Sequence, residues 1–170
     1  MKISLDVINQ MDKQPMVDKL GWIFEHSPWI IEQAWEARPF PSSEQLMRQC
    51  RQIVERSELS RQLELICAHP DLGARLKMTE ASVQEQQGAG LDQLTPEEYE
   101  AFQSCNQEYK DKFGIPFIIA VRGHDRQSIL SNLRKRIDGD KEDERQVALA
   151  EIFKIAQLRM EDLIEGESLV

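Results

Sequence analysis

At 170 residues, with 41% hydrophobic and 30% charged side chains, the chain suits one soluble domain long enough to bury a sizeable core. Thirty acidic against 21 basic residues leave a net charge of −9, which repels phosphate backbones and anionic headgroups and argues against nucleic acid and membrane as partners. A local basic pocket can still take a small anion, and no apolar run approaches the roughly 20 residues that a membrane-crossing helix needs. The opening MKISLDVINQMDKQ has no apolar signal core and the closing ESLV is no known targeting tail, so the expected address is the cytoplasm. Cys50, Cys67 and Cys105 lie far apart with no Cys-x-x-Cys pairing, which predicts thiols, mostly buried.

In chain order, Ser4 can cap a short helix bearing Leu5 and Ile8, and Met16, Leu20, Ile23 and Phe24 recur at helical spacing. Pro28 suits the first position of a further helix in which Trp29, Ile30 and Trp35 supply bulk. Residues 39–43, PFPSS, read as a loop and cap before Leu46, Cys50, Ile53 and Val54, again at intervals of three and four. The next helix carries Leu59, Leu63 and Ile66 and must stop near His69, because a residue before proline is pushed out of the helical region. Thr95-Pro96-Glu97-Glu98 is the clearest helix start in the chain, with a cap, a proline and a capping-box glutamate. That helix runs through Phe102, Asn106 and Tyr109 to Phe113 and ends at Gly114. The IPFIIAV that follows has a strand's composition, but Pro116 argues against a central strand, so a buried extended segment is expected. A helix over about 128–137, a charged stretch over 138–145 read as a solvated turn and helix start, and a last helix to about Leu163 complete the chain. No repeat or linker divides it. The expectation is an all-α, single-domain bundle spanning 1–170, with about seven or eight helices.

Three positions stand out chemically. His69 lies at a helix C-terminus, where the dipole favours imidazolium; it can serve as a general acid or base, or merely cap helix carbonyls. Glu85 follows Ser82 at capping-box spacing, so alone it reads as a helix start. Gly88-Ala89-Gly90 either admits a close ligand or ends a short helix, and without a strand and lysine it is no phosphate loop. Arg159 shares a helical stripe with Ile152, Ala156 and Leu163, an otherwise apolar face. A charge there calls for an internal carboxylate, a bound anionic substrate, or a path for the side chain to reach solvent. His26 and His124 sit in turns, the latter expected to be exposed. No His or Cys spacing supports a metal site.

Taken together, HPDLGARL at 69–76, SVQEQQGAGLDQL at 82–94, NQEYKDKFGIPFIIAVRG at 106–123 and IAQLRMEDL at 155–163 resemble the 2-oxo-4-hydroxy-4-carboxy-5-ureidoimidazoline (OHCU) decarboxylase family, with SPWI at 27–30 and RPFPS at 38–42 extending the likeness forward. That family acts in the last step from urate to allantoin. Residue by residue, the resemblance assigns catalysis to His69, Glu85 and Arg159. Substrate contacts fall to Pro70, Ser82 and Gln86 and to the Phe113, Gly114, Ile115, Pro116, Phe117, Ile118 and Ile119 segment, where Ile115 replaces an aromatic of the family pattern. Between 69 and 85 the chain is a few residues shorter than many members. The resemblance further implies an all-α homodimer that uses no cofactor and no metal, its partner being a small ureidoimidazoline carboxylate. The substrate can act as its own electron sink: its carboxylated carbon adjoins a ring C=N bond that receives the electron pair as CO2 leaves. Without the resemblance, a ureide-binding protein and a helical adaptor with an acidic surface remain open.

Overall fold

The computed structural model describes residues 1–73 and 79–165. Residues 74–76 of the HPDLGARL motif and the closing ESLV lie outside the described residues. Among those described, the chain forms nine α-helices, two 3-10 turns and one isolated bridge, with no sheet. The all-α expectation holds. The count exceeds the expected seven or eight, with the short helix that the Ser82 to Glu85 spacing suggested now formed over Glu80–Gly88. No helix of the described residues is long and apolar enough to cross a membrane.

The chain divides into two compact units, Met1–Ala68 with Phe153–Val170, and His69–Ile152. In the first, α1 (Leu5–Gln10) starts at Ser4, whose hydroxyl accepts from the Val7 amide, as its sequence predicts. Then come α2 (Lys13–Leu20), a 3-10 turn, α3 (Trp29–Ala34), α4 (Ser43–Arg56) and α5 (Leu59–Cys67). The last turns of α9 (Lys141–Leu163) belong here too. Met16, Leu20, Phe24, Ile30, Ile31 and Leu46 are fully buried, so the helical spacing read from sequence marks the core. Close to the chain ends, the Ile3 amide donates to the Leu163 carbonyl and the Glu165 amide to the Ile3 carbonyl, both at 2.9 Å.

Three details of this unit depart from expectation. Pro28 sits one position earlier, as the cap of α3. Trp29 and Trp35 are half-buried, lying beneath the guanidinium groups of Arg61 and Arg38 at 4.7 and 3.9 Å, because a ring broad enough to bind a cation need not enter the core. Leu59 opens α5 and is 55% exposed, and the inward stripe of that helix is Gln62, Leu65 and Ile66. The cysteines are thiols, but only Cys50 is buried; Cys67 is exposed and Cys105 half-exposed. Burial pushes the Cys50 thiol up to about 12, so it is inert.

In the second unit, α6 (Glu80–Gly88), α7 (Pro96–Phe113) and α8 (Arg126–Ile137) precede the opening turns of α9. At the head of α7 the Thr95 hydroxyl accepts from the Glu98 amide while the Glu98 carboxylate accepts from the Thr95 amide, both at 3.1 Å. Thr95→Ala is therefore expected to lower stability by about 1 kcal/mol, read as a shift of the urea midpoint at unchanged slope. The 138–145 stretch, expected to be solvated, is not wholly so: Glu144 is buried, because Tyr109 and Arg136 satisfy its carboxylate. His124 is half-buried rather than exposed, with Nδ1 3.1 Å from the Ser128 hydroxyl.

Candidate active site

The end of α5 sets the position of His69. Ala68 caps that helix, its amide reaching the Glu64 and Ile66 carbonyls, and Pro70 forbids a further turn, so the chain leaves the helix with the His69 ring buried. The next residues are pinned from two sides. The Asn106 carboxamide, fully inside on α7, donates Nδ2–H to the Leu72 carbonyl at 2.9 Å, and the Gly73 amide donates to Gln86 Oε1 of α6 at 3.0 Å. Gly73 has φ of +70°, and a Cβ there would come 2.9 Å from Leu94, so the turn suits glycine on two counts. Lys110 meets Asp71 at 2.9 Å, a half-exposed pair that adds little.

The capping reading of Ser82 and Glu85 does not survive. Thr79 is the cap of α6, accepting from the Ser82 amide at 3.3 Å, which moves Ser82 into the helix and Glu85 to its middle. Positions 82, 85 and 86 share one helical face. Ser82 and Gln86 are buried and Glu85 is half-buried, so the face presents a hydroxyl, a carboxamide and a carboxylate together. The helix ends at Gly88, and Gly90 is left-handed with φ of +78°, so Gly-Ala-Gly serves as a terminator.

Phe113 closes α7, and Gly114, with φ of +70°, turns the chain out of it. Residues 115–119 then run buried and outside any helix or strand, which agrees with the expectation that Pro116 bars a central strand there. With no neighbouring strand among the described residues, side chains hold this backbone. Arg136 Nη1 donates to the Ile118 carbonyl at 2.7 Å, and the Ala120 amide donates to a Glu151 carboxylate oxygen at 3.2 Å.

His69, Pro70, Ser82, Glu85, Gln86 and Phe113 to Ile119 thus all fall in the His69–Ile152 unit, and a direct hydrogen bond joins the turn after His69 to Gln86. Arg159 lies in the other unit. It is buried, which removes the solvent-reaching alternative, and its Nη1 lies 3.3 Å from Glu25 Oε2, 3.2 Å from the Trp22 carbonyl and 3.3 Å from the Ile23 carbonyl. The internal carboxylate that an arginine on an apolar stripe calls for is therefore present. Sequence reading missed Glu25, although a carboxylate flanked by Phe24 and a Ser-Pro turn was a signal. It also missed Asn106, a polar residue on the apolar stripe of Phe102, Tyr109 and Phe113. Among the described residues no three His, Cys, Asp or Glu side chains gather to hold a metal.

Residues 9–161 match the family model described as OHCU decarboxylase. The chain is 43% identical over 162 residues to the 2-oxo-4-hydroxy-4-carboxy-5-ureidoimidazoline decarboxylase of Halalkalicoccus jeotgali, covering 95% of this chain and 92% of that protein. It is 46% identical over 167 residues to the uric acid degradation bifunctional protein PucL of Bacillus subtilis, covering 97% of this chain but only 34% of that longer protein. Among solved structures, an (S)-allantoin synthase matches with a TM-score of 0.79 at 31% identity, covering 95% of this chain and 54% of that one. An OHCU decarboxylase crystallised in the presence of (S)-allantoin matches with a TM-score of 0.67 at 26% identity, covering 79% and 89%.

Proposed function

The chain belongs to the OHCU decarboxylase family, and from that premise we propose that it decarboxylates 2-oxo-4-hydroxy-4-carboxy-5-ureidoimidazoline to (S)-allantoin in urate degradation. The observation that carries the reading to particular residues is the turn after the buried His69, which Asn106 pins at Leu72 and which Gly73 ties to Gln86 on the face shared with Ser82 and Glu85. A general acid or base works only when its ring is held within reach of one proton.

In the proposed reaction the bond between the substrate's C4 and its carboxylate breaks, CO2 leaves, and the electron pair forms a C4–C5 double bond. The former ring C=N pair moves onto nitrogen, which takes up a proton. His69 accepts the C4 hydroxyl proton as the enol becomes a carbonyl, and a proton is delivered to one face of C5. Glu85, an acceptor when ionised, grips ureido or ring N–H groups and relays that last proton. The protein supplies orientation and charge stabilisation, and the substrate supplies the electron sink. Ser82 and Gln86 add polar contacts, and Pro70 with the Phe113 to Ile119 segment adds the apolar and backbone wall. Arg159 enters the proposal on the family resemblance, as the group for anionic or carbonyl oxygens, suited by its planar fork. The proposal includes a homodimer working in the cytoplasm and treats 1–170 as one functional domain, which the unbroken family match over both units supports.

The test generates the substrate in situ from urate with the upstream activities, adds this protein, and follows circular dichroism. Rapid growth of a single-handed allantoin signal is expected. A slow, optically silent product at the unassisted rate would reject the reading. In that event, binding of allantoin would favour a ureide-binding protein, and its absence an adaptor.

A further inference from the structure

We infer that Tyr109, Glu144 and Arg136 are positioning residues that set the backbone and ring of Phe117 and Ile118 for substrate. The inference rests on the proposed role of the 113–119 segment as a substrate wall and names what holds that wall in place.

The three side chains, two buried and Arg136 partly so, form one chain of contacts. The Tyr109 hydroxyl donates to Glu144 Oε2 at 2.6 Å, and Arg136 Nε donates to the same oxygen at 2.9 Å. Arg136 Nη2 lies equally close to that oxygen but is poorly directed, so it contributes charge rather than a second hydrogen bond. The other arm of the guanidinium, Nη1, reaches the Ile118 carbonyl at 2.7 Å. The flat face of the same group stacks over the Phe117 ring at 4.4 Å, and Tyr109 meets that ring edge-on at 5.5 Å. One cation therefore fixes both a carbonyl and the neighbouring aromatic ring, and Glu144 orients the cation.

Stability alone accounts poorly for this arrangement. The side chains of Arg136 and Glu144 are only 13% and 6% exposed. A buried ion pair of this kind is often matched or bettered by apolar residues of equal volume, so its use points to the geometry it imposes. That geometry is needed here because a buried segment outside any helix or strand has carbonyls that regular structure does not satisfy. Burial, followed by the adjacent Glu144 carboxylate, holds the Tyr109 phenol well above its usual range, so it remains a donor throughout the working pH range.

Arg136→Lys keeps the charge but cannot span Glu144 and the Ile118 carbonyl with one planar fork. It is expected to raise KM about tenfold with kcat within about twofold of the parent, the scale of one lost charge-assisted hydrogen bond to a group that binds ground and transition states alike. Amide hydrogen exchange across 115–121 should accelerate in the same variant, a reading that needs no activity. Tyr109→Phe, which removes one hydroxyl, should move both quantities in the same direction by about threefold and serves if the lysine variant does not fold. Unchanged exchange in a folded variant overturns the inference. So does faster exchange with parental KM and kcat, since the network would then be structural only. Should the parent protein itself fail to accelerate decarboxylation, the inference falls with the reading it rests on, and that control, together with an exchange effect, identifies which of the two failed.

Discussion

Replacing His69 with asparagine is expected to lower kcat by about 10²–10⁴, the range supplied by a positioned general acid or base. Asparagine keeps a planar polar group of similar reach and tolerates the extended backbone before Pro70, so α5 and the pinned turn should persist. Folding is checked by far-ultraviolet circular dichroism and the urea midpoint. The substrate is expected to decay unaided to racemic allantoin, so loss of catalysis should show twice, as a slower reaction and as a product without handedness. Turnover near the parental value in a folded His69→Asn protein would remove the imidazole from the proton path and pass that role to Glu85.

A second large effect is expected in the other unit. Glu25 and Arg159 have side chains only 1% and 3% exposed. Glu25→Ala leaves the guanidinium facing carbonyls in a dry interior, and breaking such a pair from one side costs about 3–5 kcal/mol. Against a total stability of about 5–15 kcal/mol this is a large fraction, and for a chain of this size it should lower Tm by about 10 °C. The double change Glu25→Leu with Arg159→Met removes both charges at similar volume and should recover most of the loss. It should not recover activity if Arg159 binds substrate oxygens as proposed. A stable double variant with parental kcat and KM would make the pair structural and take Arg159 out of the mechanism.

How much of this could be read from residues depends on how local each determinant is. The α7 start, the Gly114 stop and the buried, strand-free run after it follow from short-range rules about caps, left-handed glycine and proline, and the structure has each of them. The apolar stripes of α2 and α4 were legible for the same reason. Ser82 and Glu85 were misread because the capping-box spacing also occurs inside helices; Thr79, three residues earlier, competes for the cap and wins. Glu144 was misread as solvated because its partners Tyr109 and Arg136 lie 35 and 8 residues away, beyond any periodicity. Asn106 and Glu25 stood in plain view on apolar stretches, yet only tertiary packing says which carbonyl or cation each one meets. His69 and Arg159 stood out by position, one at a helix end before proline and one on an apolar stripe, but the catalytic roles given to them came from resemblance, since neither position says what its side chain meets.

The first unit is built from the two ends of the chain, and this has a consequence for synthesis. Glu25 and Arg159 stand 134 positions apart, and the Ile3 bridge needs Leu163 and Ile164. As the polypeptide emerges from the ribosome, the stretch from His69 to Ile152 can gather its own neighbours. The leading helices must meanwhile wait, with the Glu25 carboxylate still hydrated, until the last helix is released. Closing so long a loop is entropically slow. A ribosome stalled before position 159 would therefore hold a chain whose leading segment has been made but still lacks the cation that closes its interior.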